Sequence, residues 1–208
     1  MTVDPSPPGP IWEPDGKLDG VRLRGTTLTG VHAPGIRLLD ADLQSVTLAG
    51  AELERSTWRD CRLGAVRFLG GQLARSRWVG VTIAESSLAG CELLGATFTR
   101  VTLDGCLIDG VNLRGARWDE VSLADCVLRD VDLAGARVSG VRFERCTFER
   151  VDLTQAVLED VDLRGCTLGI ARGWDRLRGA VIDHGQLIEI APALATELGI
   201  TVRERGPR

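Results

Sequence analysis

Val111-Asn112-Leu113-Arg114-Gly115 and, twenty residues on, Val131-Asp132-Leu133-Ala134-Gly135 decide the fold of this chain. Each is one copy of a five-residue unit centred on a large apolar side chain. Outward from these copies the unit runs from Leu18 to Leu168 without insertion or deletion. Every position whose number ends in 3 or 8 is large and apolar, with Ala33 the sole exception. Two residues before each stands a small or β-branched side chain. An α-helix repeats near 3.6 residues and a strand at 2. A strict period of five requires a chain that turns a corner at every unit.

A unit this short cannot bury its own apolar face and must stack on copies of itself. Four units closing one square coil put two residues in five inward, those ending in 3 or 8 and in 1 or 6. The other three face water. Parallel coils stack ~4.8 Å apart, so residues 16–170 make nearly eight coils and a rod of ~37 Å. Only the two ends expose strand edges, and those need caps. The corner residue, two after the large apolar one, is most often glycine. Pro34-Gly35 is the preferred central pair of a type II turn. At Asp60, Arg75 or Glu85 a side chain replaces the glycine. A corner without positive φ is expected there, so that two corner types alternate along the rod.

The same coordinates sort the interior. Residues twenty apart stack, so Trp58, Trp78, Phe98 and Trp118 form one inward column, next to the small Ser56, Ser76, Ala96 and Ala116. The six cysteines, Cys61, Cys91, Cys106, Cys126, Cys146 and Cys166, all occupy the small inward slot. They are read as core residues, not as a disulfide set or metal ligands.

Composition narrows the function classes. The chain has 208 residues, 44% of them hydrophobic, and a net charge of -4. That balance argues against a strongly basic nucleic-acid binder. No apolar run is long enough to span a membrane, and Met1 to Pro10 lack the pattern of a secretory signal. A cytoplasmic protein is expected. His32 and His184 lie far apart, the serines at 56, 76 and 86 sit in inward slots without a base, and the glycines follow the corner period, not a phosphate loop. A non-enzymatic protein without cofactor or metal is therefore expected.

The A-(D/N)-L-x-G-like unit over residues 16–168 resembles the pentapeptide-repeat family. The resemblance implies an all-β solenoid, a right-handed quadrilateral β-helix, and a non-enzymatic role. It also implies kinship with a subset that binds DNA gyrase or topoisomerase IV by imitating duplex DNA and protects the enzyme from quinolones or natural poisons. Some relatives of that subset carry long loops that engage the enzyme. None interrupts this chain, a departure that speaks against a loop-dependent mode of binding and leaves a loop-free one open.

Beyond the repeat, Leu177-Arg178-Gly179-Ala180-Val181-Ile182-Asp183 closes a last coil after the irregular 169–176. Asp183 and Gln186 have the spacing of a capping box. An apolar face follows at Leu187, Ile190, Ala191, Leu194 and Leu198, and Gly199 is a natural stop. Pro192 must kink this helix or begin a second one. The Leu-x-Gly-Ala-x-x-Asp-x-x-Gln run is similar to that of the mycobacterial fluoroquinolone-resistance branch of the family. There the terminal module joins two rods end to end. The resemblance implies a homodimer through those five apolar residues, beyond the capping that any such helix must do. The chain thus divides into a tail and cap (1–15), the β-helix (16–182), and the C-terminal capping and dimerisation α-helix with its tail (183–208). Ile11 and Trp12 are expected to cover the first coil.

Charge is split along the rod. Residues 16–103 hold eight acidic and eleven basic side chains, a net of +3, whereas 104–162 hold thirteen acidic and seven basic, a net of -6. The candidate partner surface is Glu52, Glu92, Asp109, Asp119, Glu120, Asp125, Asp130, Asp132, Asp152, Glu159, Asp160 and Asp162. Arg129 near Asp130 and Arg117 near Asp119 are expected to neutralise part of it. Two readings follow. One is a dimeric DNA mimic for a type II topoisomerase, with no direct nucleic-acid or membrane contact. The other is a scaffold or adaptor of unknown partner, using the weakly charged face of Leu69, Leu107 and Val127.

Overall fold

The structure, a computed structural model, describes residues 11–203. From Lys17–Asp19 to Thr167–Arg172 the chain is a stack of short parallel strands. Register is kept at twenty residues throughout the regular coils: Leu18 pairs with Leu38, Leu38 with Trp58, and Trp118 with Val138. Three faces of the coil carry strands. The fourth carries single bridges, running His32, Glu52, Gln72, Glu92, Asn112, Asp132, Asp152. The molecule is a parallel β-solenoid of about eight four-sided turns, closed at its C-terminal end by one helix.

Burial follows the period. The residues ending in 3 or 8 and in 1 or 6 form one continuous apolar core from Leu18 to Ile170. Ala33, the exception in the pattern, is fully buried too. All six cysteines are buried free thiols. Burial pushes the Cys61 thiol up to about 11 and raises Cys91 as well, as expected where a thiolate would lose its hydration. In the aromatic column Trp58 stacks on Trp78 with centroids 4.7 Å apart. Phe98 continues the stack at 6.1 Å and meets Trp118 edge-on at 5.5 Å.

The corners differ from expectation. Asp60, Arg75 and Glu85 have φ of 54°, 57° and 49°, in the same left-handed region as the glycines. Every corner needs that conformation because the square coil demands it, whatever the residue. The two corner types are sorted by face, not by residue identity. On the fourth face a hydrogen bond closes each turn, as from Ile36 N–H to Ala33 O (3.2 Å) and from Ala116 N–H to Leu113 O (3.0 Å).

The ends are handled differently. At the start, Trp12 packs against the core, whereas Ile11 is 70% exposed and takes no part in the cap. At the finish, the coil is replaced by side chains. The helix α1, His184–Glu197, begins with the expected capping box. The buried Gln186 then does more: its amide N–H groups donate to Leu163 O (2.6 Å) and Cys166 O (2.7 Å), while its carbonyl accepts from Asp183 N–H. Asp183 Oδ2 accepts from Gly165 N–H at 3.0 Å. Two side chains thus supply groups that a further coil would have offered, and they blunt the open strand edge.

Pro192 neither divides the helix nor ends it; α1 is a single element. The N–H that proline lacks would have served the Ile188 carbonyl, and both residues lie on the exposed side of the helix. The helix stops in a Schellman turn, with Gly199 N–H to Thr196 O and Ile200 N–H to Ala195 O.

Candidate partner-binding surface

The fourth-face ladder places Glu52, Glu92, Asp132 and Asp152 in one column. They are not a bare acidic stripe. His32 Nδ1 lies 2.6 Å from Glu52 Oε2, Asn112 donates to Glu92 at 2.7 Å, Arg114 pairs with Asp132, and Arg172 pairs with the buried Asp152. Burial acts to raise the Asp152 carboxyl, yet bonds from Thr154 and the Arg172 charge hold it below the ordinary carboxylate range.

The remaining acids pair mostly from coil to coil, not along the sequence. Arg145 grips Asp125 with two bonds, 2.8 and 2.7 Å. Arg150 grips Asp130 likewise, with Nε 2.6 Å from Oδ1. Arg129 sits between Asp109 and Glu149. Each of these partners is twenty residues away. Asp130 is thus neutralised chiefly by Arg150, with the Arg129 charge a smaller contribution, and Arg117 makes no ion pair with Asp119. The physical reason is strand geometry: residues twenty apart stand side by side in register. Asp162 is the local case, held by Arg164 two residues on and lowered to about 2 by that hydrogen bond.

Four candidate acids are left over. Asp119, Glu120, Glu159 and Asp160 have neither an ion-pair partner nor a side-chain hydrogen bond among the described residues, whereas Glu92, also without a cation, keeps its bond from Asn112. Asp119 and Glu159 stand in register on either side of Ser139. The four carboxylates therefore gather at one corner, two coils and about 10 Å apart along the rod. Arg117 and Arg137 stand in the adjacent column of that face. Among the described residues no group of three or more His, Cys, Asp or Glu is placed to hold a metal. No described helix is long and apolar enough to cross a membrane.

The five candidate interface residues of α1 divide into two sets. Ile190 is buried in the cap and Leu194 packs against the core. Ile190 is therefore a plug for the solenoid, with no surface to offer a partner. Leu187, Ala191 and Leu198 are exposed, Leu198 by 73%. Ile188, absent from the expected set, is exposed by 64%. It lies beside Leu187 and Ala191, on the side of the helix turned away from the buried Gln186 and Ile190.

Comparison with family models settles the family. A pentapeptide-repeat-region model matches residues 96–172, and an eight-copy pentapeptide-repeats model matches residues 17–60. The chain belongs to the pentapeptide-repeat family. Solved structures of similar proteins include HetL, a pentapeptide repeat protein involved in heterocyst differentiation regulation from the cyanobacterium Nostoc sp. strain PCC 7120. It is 20% identical, with 82% of this chain and 91% of that one covered and a TM-score of 0.43. A trypsin-treated form of QnrB1, a plasmid-mediated fluoroquinolone resistance protein, is 20% identical over 89% of this chain and 99% of its own, with a TM-score of 0.49. Both likenesses concern the pentapeptide-repeat fold. No curated protein sequence matches this chain.

Proposed function

We propose that this pentapeptide-repeat protein is a non-enzymatic, rod-like DNA mimic that binds a type II topoisomerase, DNA gyrase in the first instance, and modulates it or shields it from quinolones or natural poisons. The observation that carries the reading is the corner of unpaired carboxylates, Asp119, Glu120, Glu159 and Asp160, in the half of the rod with the excess of acid. Unpaired carboxylates on a rigid rod present fixed negative charge at regular intervals, as a phosphate backbone does. The acids held by Arg145 and Arg150 contribute shape and rigidity there, with a weaker field. The exposed Leu187, Ile188 and Leu198 lie at the same end. Pairing of two copies through them would bring two acidic halves together at the centre of a double-length rod.

A second reading, an adaptor for another protein, draws on the weakly charged face of Leu69, Leu107 and Val127, of which Leu69 is 41% exposed and the other two are half-buried. Gyrase supercoiling separates the two readings. Purified protein should inhibit supercoiling or relieve quinolone inhibition at micromolar concentration, and neutralising the four corner acids should abolish the effect. No effect at about 50 μM, a concentration that would saturate a micromolar complex, would leave the adaptor reading.

A further inference from the structure

The last coil is incomplete on one face. Between earlier coils this face is closed by recurring backbone hydrogen bonds, such as Val157 N–H to Ala136 O (2.9 Å) and Glu120 N–H to Ser139 O (3.2 Å). After Arg172 the chain passes this face as a single 3-10 turn, Trp174–Leu177. Strand pairing resumes only at Val161 with Ala180 and Asp162 with Val181. Ala156 O, whose counterparts Ala116 O and Ala136 O on earlier coils are bonded, therefore meets no backbone partner among the described residues. The detour touches the coil closely at its two ends. A Cβ at Gly173 would lie 2.7 Å from Leu153 C, and one at Gly179 would lie 2.5 Å from Leu158 O. Between them opens a cleft of ≈ 560 Å³, bordered by Ala156, Val157 and Glu159 on the strand and by Asp175 and Arg178 on the detour. Val157 is 45% exposed at its mouth.

The chain also carries a segment suited to that edge. Past Gly199 it runs Ile200-Thr201-Val202-Arg203, three β-branched residues and a cation. This run is neither helix nor strand, and Val202 is 77% exposed. Such residues favour a pleated, half-buried setting. In an extended chain Ile200 and Val202 share one side, to set against Val157. Arg203 has no ion-pair partner among the described residues, and neither does Glu159 at the edge of the cleft. The tail of the same copy stands exposed, outside the cleft.

We propose that the Ile200–Arg203 segment of a second copy of this chain adds as a short strand to the open edge at Ala156–Asp160. Main-chain hydrogen bonds would give affinity and the Val157, Glu159 and Asp160 side chains selectivity, as in other strand additions. The proposal rests on the pairing of two rods at their C-terminal ends put forward above, and it makes that pairing reciprocal; Glu159 then faces Arg203 of the second copy, and Asp119 and Glu120 carry the charge left free at the corner.

The decisive experiment titrates a fluorescent peptide of residues 199–208 into the chain ending at Gly199, whose fold is checked by circular dichroism. Saturable binding is expected, weakened about tenfold or more by Val157→Lys and by Glu159→Arg. Lack of saturable binding up to about 1 mM, or binding indifferent to both substitutions, overturns the proposal. Sedimentation of full-length Leu187→Arg tests helix pairing separately. If that variant is monomeric while the peptide still binds, the strand site stands and helix pairing is an independent contact. If the unmodified protein is itself monomeric at the concentrations where the peptide binds, docking by a second copy is overturned.

Discussion

The indole N–H of Trp58 donates to the hydroxyl of Ser56 at 3.0 Å, with both side chains fully buried. One coil on, Trp78 and Ser76 repeat the bond at 2.9 Å. Two coils further, Trp118 occupies the same column but its neighbour is Ala116, and its buried N–H has no partner. An unsatisfied buried donor costs about 1–3 kcal/mol. Ala116→Ser should therefore stabilise the protein by about 1 kcal/mol, and Ser56→Ala should destabilise it by about 1–3 kcal/mol. Chemical denaturation of the two variants checks the pair. An Ala116→Ser protein less stable than the parent would mean that the slot is too tight for the hydroxyl.

The corners offer a test of backbone strain. Glu85 holds a φ of 49° and makes no ion pair among the described residues. Relieving the left-handed conformation is worth about 1–2 kcal/mol, against about 0.5–1 kcal/mol for the extra freedom of unfolded glycine. Glu85→Gly should raise stability by about 0.5–1 kcal/mol. Gly90→Val should lower it, although a Cβ at Gly90 would meet nothing within 4 Å, because a β-branched residue resists that φ. Equal melting points for both variants and the parent would contradict the strain argument.

Gln186 closes two carbonyls and one N–H of the chain end at once. Gln186→Ala removes one partner from each of the three, of which Leu163 O keeps the Cys166 N–H, and should cost about 1–3 kcal/mol. Hydrogen exchange should show the loss concentrated in 160–200, with the middle coils unaffected. Uniform loss along the rod would argue against a terminal cap.

Acid should weaken the C-terminal half selectively. Asp162 is lowered to about 2 by Arg164, and Asp183 is lowered by backbone N–H groups of Gln186 and Gly165. A carboxylate with a depressed folded pKa stabilises fully above its unfolded value near 4, and that contribution is lost as pH falls through the folded value. Stability should therefore be flat above about pH 5 and fall between about pH 4 and 2. Asp183→Asn should flatten the slope. A maximum near pH 3 would contradict the sign.

The thiols should be silent in the native state. All six cysteines are buried and unpaired, so an aromatic disulfide reagent should titrate none in buffer and all six after unfolding in guanidinium. Rapid native reaction at Cys61 would contradict its burial.

The period made the interior legible. Twenty-residue columns placed Trp58 on Trp78 and sent every cysteine inward, because burial acts on each residue singly. The corners were legible as positions but not as conformations. Asp60 and Arg75 read as poor left-handed residues, yet closure of the coil outweighs local preference. The acidic surface was legible only in part. The signal that Arg145 takes Asp125 and Arg150 takes Asp130 lies in the same twenty-residue spacing, applied to outward positions. The role of Ile190 as plug, and the cleft beside Val157, had no sequence signature. Both depend on where the chain leaves the repeat after Arg172.

The DNA-mimic account is tested most directly by measuring binding of the purified protein to DNA gyrase with duplex DNA as competitor. The account predicts a micromolar or tighter complex that weakens with salt and is displaced by duplex. It also predicts strong loss of binding when Asp119, Glu120, Glu159 and Asp160 are replaced by their amides. Binding unaffected by duplex and by the four replacements, or no binding at about 50 μM, would contradict it.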